Sequence, residues 1–167
     1  LEPDALYEIV KAINDTDADV IYTDEDKVSM DGQHYFDPNF KPDFNLFRLR
    51  ENNYICHIFV VRKSLTDETG MLRSEFDGAQ DFDFILRCCE KAKKITHIPK
   101  VLYHWRCHMD STAADPSSKA YAYEAGRKAI REHYQRMGID AKVDMTERPG
   151  WYRSHIKIQG NPMVSII

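Results

Sequence analysis

Two aspartates near the middle of the chain are the first residues whose type and position could do chemistry. Asp81 and Asp83 lie in the stretch FDGAQDFDFILRC, residues 76 to 88, between a glycine and an apolar run. A carboxylate in the first turn of a helix accepts backbone N–H bonds and stays ionised, so capping alone would explain Asp81. Residues two positions apart on a helix face different ways, so these two are not a paired-carboxylate site. One of them could instead act as a general base.

A second acidic stretch, TDEDK at residues 23 to 27, follows a short β-branched run. Three acidic groups at the end of a strand could bind a divalent cation or a sugar, or could form a solvated acidic turn. On an extended strand Asp24 and Asp26 share a face but lie about 6.6 Å apart. A single metal ion held by both aspartates would therefore require the chain to turn at this point.

The histidines offer a weaker indication of a site. His104 and His108 have a spacing that could hold zinc on a helix, but their segment has the pattern of a strand, which separates them by about 13 Å. A shared metal is therefore not expected. Arg106 or His108, just beyond that strand, could contact a phosphate group. For His57, His97 and His104 a structural role is the commoner case.

Helices and strands alternate along the chain in an α/β pattern. The predicted elements are an opening helix with Leu6, Ile9, Val10 and Ile13 at helical spacing, the strand VIYT, a long loop over residues 31 to 53, the strand YICHIFVV, a short helix closed by Gly70, the helix DFDFILRCCEKAKK, the strand ITHIPKVLYHWR, a long helix over 116 to 137 with Asp115 as N-cap, and a hairpin that turns at ERPG.

The composition limits the classes of protein that the chain can belong to. Its 167 residues suffice for one domain with a hydrophobic core. A net charge of -4 gives no indication of a nucleic-acid partner. The four cysteines show no paired metal spacing, which favours a reduced, cytoplasmic protein. No stretch approaches the length of a membrane span, and no signal peptide is recognised.

Five stretches in the same order resemble family 2 glycosyltransferases. They are DADVIYTDEDK, FKPDFN, NYICHIFVVRK, FDGAQDFDFILR and HIPKVLYHWRCHMDSTA. The nearest resemblance is to the multi-domain bacterial enzymes that build capsular or cell-wall polysaccharides. The resemblance implies the GT-A fold of nucleotide-diphospho-sugar transferases, of which this chain would be the carboxyl-terminal, acceptor-side portion. It also implies an inverting sugar transfer from a nucleoside diphosphate donor to a growing glycan.

The resemblance also assigns roles to residues. The family's catalytic base is an aspartate in a Glu-Asp or Gln-Asp pair at a helix start, which Gln80 and Asp81 match. An inverting transfer needs one carboxylate to take the proton of the attacking acceptor hydroxyl. YHWRCH resembles the segment near the diphosphate, which places Arg106 and His108 there, with His108 also a candidate metal ligand. Asp24, Glu25, Asp26, Gln80 and Asp83 are expected to contact substrate.

The resemblance further predicts the organisation of the chain. Residues 1–138 would belong to the transferase domain, 139–160 to a hairpin or linker, and 161–167 to the first strand of a following domain. The family's metal-binding aspartates would lie upstream of Leu1, so TDEDK only imitates their motif. Manganese or magnesium is expected in the intact enzyme and not in this segment, which alone would be inactive.

The expected partners of the intact enzyme are a nucleoside diphosphate sugar and a glycan acceptor, without nucleic acid and without a membrane span in this segment. The expected location is the cytoplasm, with the inner face of the membrane as an alternative. Two rival functions remain open at this point. One is a non-catalytic module that binds a glycan or a partner, and the other is a small metal-dependent hydrolase that uses the DED sequence.

Overall fold

A computed structural model of the chain describes residues 1–107 and 120–165 and has an α/β architecture. Five α-helices are described, together with a short 3-10 helix at Ser74–Phe76: α1 (Ala5–Thr16), α2 (Leu46–Leu49), α3 (Lys63–Thr69), α4 (Gln80–Lys91) and α5 (Ala120–Arg136). Six strands accompany them: β1 (Val20–Val28), β2 (Tyr35–Asn39), β3 (Phe59–Val61), β4 (Ile95–Arg106), β5 (Ala141–Met145) and β6 (Tyr152–Ile156).

Strand β1 is the centre of a four-stranded mixed sheet. One edge of β1 pairs in parallel with β4 along its whole length. The other edge pairs antiparallel with β3 in its first half and with β2 in its second half. Strands β5 and β6 form a separate antiparallel hairpin. The predicted α/β class is confirmed, and the mixed sheet with flanking helices is compatible with part of a nucleotide-sugar transferase fold.

Successive residues of β1 point to opposite faces of the sheet, and each face is covered by a helical layer. Ile21 packs in a cluster with Ala5 and Ile9 of α1. Tyr22 points the other way and belongs to the main core, which is built largely from α4 and α5 and includes Ile85. The sheet is therefore a middle layer that carries the polar residues of β1 between two apolar clusters.

Helix α1 forms where the sequence predicts it, but its apolar residues do not all face the sheet. Ala5 and Ile9 are buried, whereas Leu6 and Val10 are 69% and 54% exposed. The spacing of the apolar residues therefore predicted the helix correctly and the buried face only in part.

Two other predicted elements differ from the structure. The predicted loop over residues 31 to 53 contains β2 and α2, and the predicted strand YICHIFVV is reduced to Phe59–Val61. In the part of the predicted strand that is not a strand, the ammonium of Lys41 donates hydrogen bonds to the carbonyls of Ile55 and His57, at 2.7 and 2.6 Å. These carbonyls therefore have a buried side chain as a hydrogen-bond partner.

The hairpin β5–β6 is attached to the main body of the fold. Val143 and Tyr152 both belong to the main core. The hydroxyl of Tyr152 donates a 2.9 Å hydrogen bond to the carbonyl of Tyr123 on α5, and its ring lies against Gly126 of the same helix. Helix α5 is described from Ala120, so the predicted cap at Asp115 lies outside the described residues.

Replacing Gly126 with alanine is expected to destabilise the fold by about 1–3 kcal/mol, because the added methyl overpacks the core. Helix propensity alone predicts the opposite sign, a gain of about 1 kcal/mol. A Cβ at this position would lie 2.9 Å from Cζ of Tyr152 and would also collide with its hydroxyl oxygen. Urea unfolding of Gly126→Ala decides between the two signs. A double variant with Tyr152→Phe should recover part of the loss.

The described helices include none that is long and apolar enough to cross a membrane. Residues 161–165 have no assigned strand, and Ile166 and Ile167 lie outside the described residues. The division into a transferase portion, a linker and the start of a second domain stays a prediction.

Candidate functional site

Asp81 lies in the first turn of α4, one residue after the helix begins at Gln80. The N-cap residue is Ala79, which has no side-chain cap. One carboxylate oxygen of Asp81 accepts a 3.1 Å hydrogen bond from the side-chain amide of Asn53, on the segment between α2 and β3. The half-buried carboxylate is therefore held by another part of the chain at the positive end of a helix.

Gln80 and Asp83, the neighbours of Asp81, have structural contacts. Gln80 accepts a 2.8 Å hydrogen bond from the backbone N–H of Gly78, which closes the turn before α4. Asp83 is fully buried, and its two oxygens accept from Arg73 at 3.0 and 2.5 Å and from Arg87 at 2.9 Å. Both oxygens of Asp83 are enclosed in this way, so its geometry does not support the predicted contact with substrate.

The acidic row of β1 is part of the sheet and is not a solvated turn, which makes that alternative wrong. Asp24 is buried and accepts a 2.8 Å hydrogen bond from Nε2 of His97. Asp26 lies 2.5 Å from Nδ1 of His104. Both histidines are on β4, so the parallel pairing of β1 with β4 gives each aspartate a basic partner. The structural role expected for His97 and His104 agrees with these contacts.

The aspartates of β1 do not form a site that fits a metal ion. Within residues 1–107 and 120–165, no group of three or more histidine, cysteine, aspartate or glutamate side chains is arranged to hold one. Asp24 also accepts a 2.9 Å hydrogen bond from the backbone N–H of Lys41, which occupies the same oxygen that His97 contacts. A hydrolase that depends on a metal bound by the DED sequence has no support in this geometry.

Glu25 belongs to a buried cluster that sequence patterns did not reveal. Its oxygens accept from His57 at 3.2 Å and from the Asn39 amide at 3.3 Å, and the ammonium of Lys41 is 3.7 Å away. Burial raises the pKa of Glu25, but the hydrogen bond from His57 and the charge of Lys41 outweigh burial and leave the pKa lowered. Burial lowers the pKa of Lys41, against the opposing charge of Glu25.

Cys56 links this cluster to the residue that holds Asp81, because its backbone N–H donates a 3.4 Å hydrogen bond to the side-chain oxygen of Asn53. Burial and the negative charges of Asp81 and Glu25 together raise the pKa of the Cys56 thiol to about 12, while Lys41 acts in the opposite direction. All four cysteines are free thiols, as expected, and Cys56 is a neutral group among three charged ones. Lys41, the lysine in FKPDFN, is buried in the structure, and a buried lysine needs a partner. Its burial is not visible in the sequence, so the cluster could not be predicted from it.

An open cleft of about 480 Å³ lies beside these groups. One wall is β1 and β2, and the opposite wall is the turn of the β5–β6 hairpin with Arg148 and Trp151. Asn52 and Tyr54 also line the cleft, and Asn53, which holds Asp81, is the residue between them. The cleft therefore lies next to the segment that positions Asp81.

Arg106 and His108 are not brought to this cleft by the described contacts. The exposed guanidinium of Arg106 donates to the carbonyls of Met30 and Ser29, at 2.8 and 3.4 Å, and so supports the turn after β1. His108 lies outside the described residues. The predicted contacts of these two residues with a diphosphate, and of His108 with a metal, stay predictions.

A comparison with protein-family models finds no match for the chain. Two curated proteins are similar to it over its whole length. It is 45% identical over 171 residues to the uncharacterized protein y4gI of Sinorhizobium fredii (strain NBRC 101917 / NGR234). It is 38% identical over 168 residues to the O-antigen biosynthesis protein RfbC of Myxococcus xanthus. The chain spans 19% of the first relative's length and 13% of the second's, so each relative extends far beyond it.

Proposed function

We propose that the chain is part of a glycosyltransferase that transfers a sugar, with inversion, from a nucleoside diphosphate donor to a growing bacterial polysaccharide. The similarity to a protein named for O-antigen biosynthesis supports a role in glycan synthesis. The mixed α/β sheet is compatible with part of the GT-A fold. Within that fold this chain supplies the acceptor side, and the capsule or the cell wall is the expected destination of the product.

The observation that carries the proposal is the environment of Asp81. Its carboxylate lies at the start of α4 and is fixed by the amide of Asn53, whose chain neighbours Asn52 and Tyr54 line the cleft. A general base must be ionised and held within reach of the proton that it removes. We assign to Asp81 the removal of the acceptor hydroxyl proton as that oxygen attacks the anomeric carbon of the donor sugar.

The neighbouring carboxylates favour transfer over hydrolysis. Hydrolysis of a glycoside usually uses two carboxyl groups on either side of the scissile bond. Asp83 is enclosed by two arginines, and Asp24 and Asp26 are paired with histidines. Asp81 is therefore the acidic side chain best placed to act alone, which is what an inverting transfer requires.

The proposal includes manganese or magnesium in the intact enzyme, where the cation would stabilise the charge of the diphosphate leaving group. The described residues do not fit such an ion, so we assign its ligands to other parts of the parent protein, with His108, which lies outside the described residues, as a further candidate. Free thiols at all four cysteines are consistent with the proposed cytoplasmic location. This segment without the rest of the enzyme is expected to transfer no sugar and to bind nucleoside diphosphate sugars weakly or not at all.

The test is an assay of the full-length protein with a panel of nucleoside diphosphate sugars, manganese and lipid-linked glycan extracted from the source cells. We expect release of nucleoside diphosphate with one donor, and a product whose anomeric configuration, read by NMR, is opposite to that of the donor. Retention of configuration would contradict the inverting mechanism. Glycan binding without turnover of any donor would favour the non-catalytic binding module.

A further inference from the structure

The acidic side chains that line the cleft have side-chain partners of opposite type, whereas its arginines have none in the part of the chain that the structure describes. Its three acidic side chains each have a basic partner within hydrogen-bond or ion-pair distance. The pairs are Glu25 with His57, Asp26 with His104, and Asp37 with Lys27. A carboxylate oxygen of each of these acidic side chains is therefore already in contact with a side chain of the protein before any ligand enters.

The two arginines of the cleft have no such compensation among the residues that the structure describes. Neither Arg48 nor Arg148 has a side-chain hydrogen bond or an ion pair there. Their guanidinium groups lie instead against aromatic rings. Cζ of Arg148 is 4.7 Å from the ring centre of Trp151, and Cζ of Arg48 is 5.9 Å from the same ring and 5.7 Å from that of Tyr54.

This arrangement orients the arginines without using their N–H donors. Contact between a cation and an aromatic face restrains the guanidinium through its plane, while its donors point outward from the edge. The ring of Trp151 lies near both guanidinium groups, so it places the two arginine side chains at the same part of the cleft. A planar fork of N–H donors matches the oxygens of a carboxylate or a phosphate group.

We propose that the cleft binds the acceptor glycan at a sugar residue that carries an anionic group, a carboxylate or a phosphate, and that Arg48 and Arg148 recognise that group. The inference rests on the proposed function, because a base removes a proton from the acceptor and the cleft lies beside the segment that holds Asp81. Under this proposal, the β5–β6 hairpin, predicted as a hairpin or linker, contributes residues that determine which acceptor binds. The hairpin can hold Arg148 in a fixed position because Val143 and Tyr152 pack in the core.

The chain offers a matched control for the charge change. Arg153 is an exposed arginine on the same hairpin that does not line this cleft. The variants Arg48→Gln, Arg148→Gln and Arg153→Gln are therefore compared in the full-length protein. Circular dichroism and the unfolding midpoint confirm that each variant is folded.

Binding is measured by titration calorimetry with four probes: an oligosaccharide that contains glucuronic acid, the same oligosaccharide with its carboxyl groups reduced, an oligosaccharide that carries phosphate, and uridine diphosphate. We expect one of the anionic oligosaccharides to bind at least about tenfold more tightly than the neutral one, and which of them binds identifies the carboxylate or the phosphate. Arg48→Gln and Arg148→Gln should each remove about tenfold of that affinity, since one charge-assisted contact is worth this much. Arg153→Gln should leave it unchanged.

Equal binding of anionic and neutral oligosaccharides, or no binding of any of them, would overturn the inference. Loss of uridine diphosphate binding in Arg48→Gln and Arg148→Gln would also overturn it, because the arginines would then serve the donor. Turnover of a donor sugar is measured separately on the same proteins. Turnover without selective binding of an anionic oligosaccharide leaves the proposed function intact and rejects this inference. Selective binding of an anionic oligosaccharide without turnover supports the anionic site and rejects the proposed function.

Discussion

Asp81→Asn in the full-length protein is expected to lower the rate of sugar transfer by about a thousandfold while the affinity for the donor stays the same. Asparagine keeps the size of the side chain and can still contact the Asn53 amide through its oxygen, but it cannot take a proton. General-base catalysis contributes about 10²–10⁴ to a rate, which sets the size of the loss. A loss that appears in kcat with little change in KM is typical of an interaction made only in the transition state.

The control is Asp77→Asn, the same chemical change at an exposed aspartate just before α4, whereas Asp81 is the aspartate that the Asn53 amide holds. The rate of Asp77→Asn should stay within a few-fold of the unmodified protein. Initial rates across donor concentrations, with donor binding measured by calorimetry, separate the two effects. If Asp81→Asn retains activity within a few-fold, Asp81 is a structural residue and the assignment of the base is wrong.

Asp83→Asn, two residues further along, is expected to affect stability and not chemistry. The variant leaves Arg87, which is largely buried, without the carboxylate that neutralises it, and removes the bidentate partner of Arg73. Removing one member of a buried ion pair costs about 3–5 kcal/mol, because the remaining charge is uncompensated. Arg87 also donates to the carbonyls at the end of α3, so the effect should extend to that helix.

Urea unfolding monitored by circular dichroism measures the change. Asp67→Asn provides the comparison, since its ion pair with Lys63 is an exposed contact within one helix and should contribute only a small fraction of that energy. An unfolding midpoint for Asp83→Asn equal to that of Asp67→Asn would contradict the structural role. Asp81→Asn should have about the same unfolding midpoint as Asp67→Asn. The two aspartates of the motif would then have different roles, Asp81 in catalysis and Asp83 in stability.

Regular periodicity predicted the long elements of the fold well. The helix α4 and the strand β4 follow from local patterns, an apolar face at helical spacing and a β-branched run, and neither requires knowledge of distant residues. The helix α3 ends at Gly70 as expected, because a glycine is favoured where a helix stops. Such elements need only information that lies within a few residues.

The extension of β1 through TDEDK could not be predicted in the same way. Aspartate is uncommon in strands, and the histidines that contact Asp24 and Asp26, His97 and His104, come from far along the chain. The cleft was also unpredictable, since its walls come from β1, α2 and the hairpin. Asp81 was identified because a resemblance named it, while its fixing by Asn53, 28 residues away, is visible only in three dimensions.

The parallel pairing of β1 with β4 has a consequence for synthesis of the chain on the ribosome. Asp24 and His97 are 73 residues apart, and Asp26 and His104 are 78 residues apart, so one edge of β1 emerges long before its partner. An open strand edge can pair with other chains, and charged residues discourage such pairing. Before His97 and His104 are made, Asp24 and Asp26 carry uncompensated charge along that edge. The same aspartates that contact histidines in the folded sheet would thus protect the nascent chain from aggregation until β4 is complete.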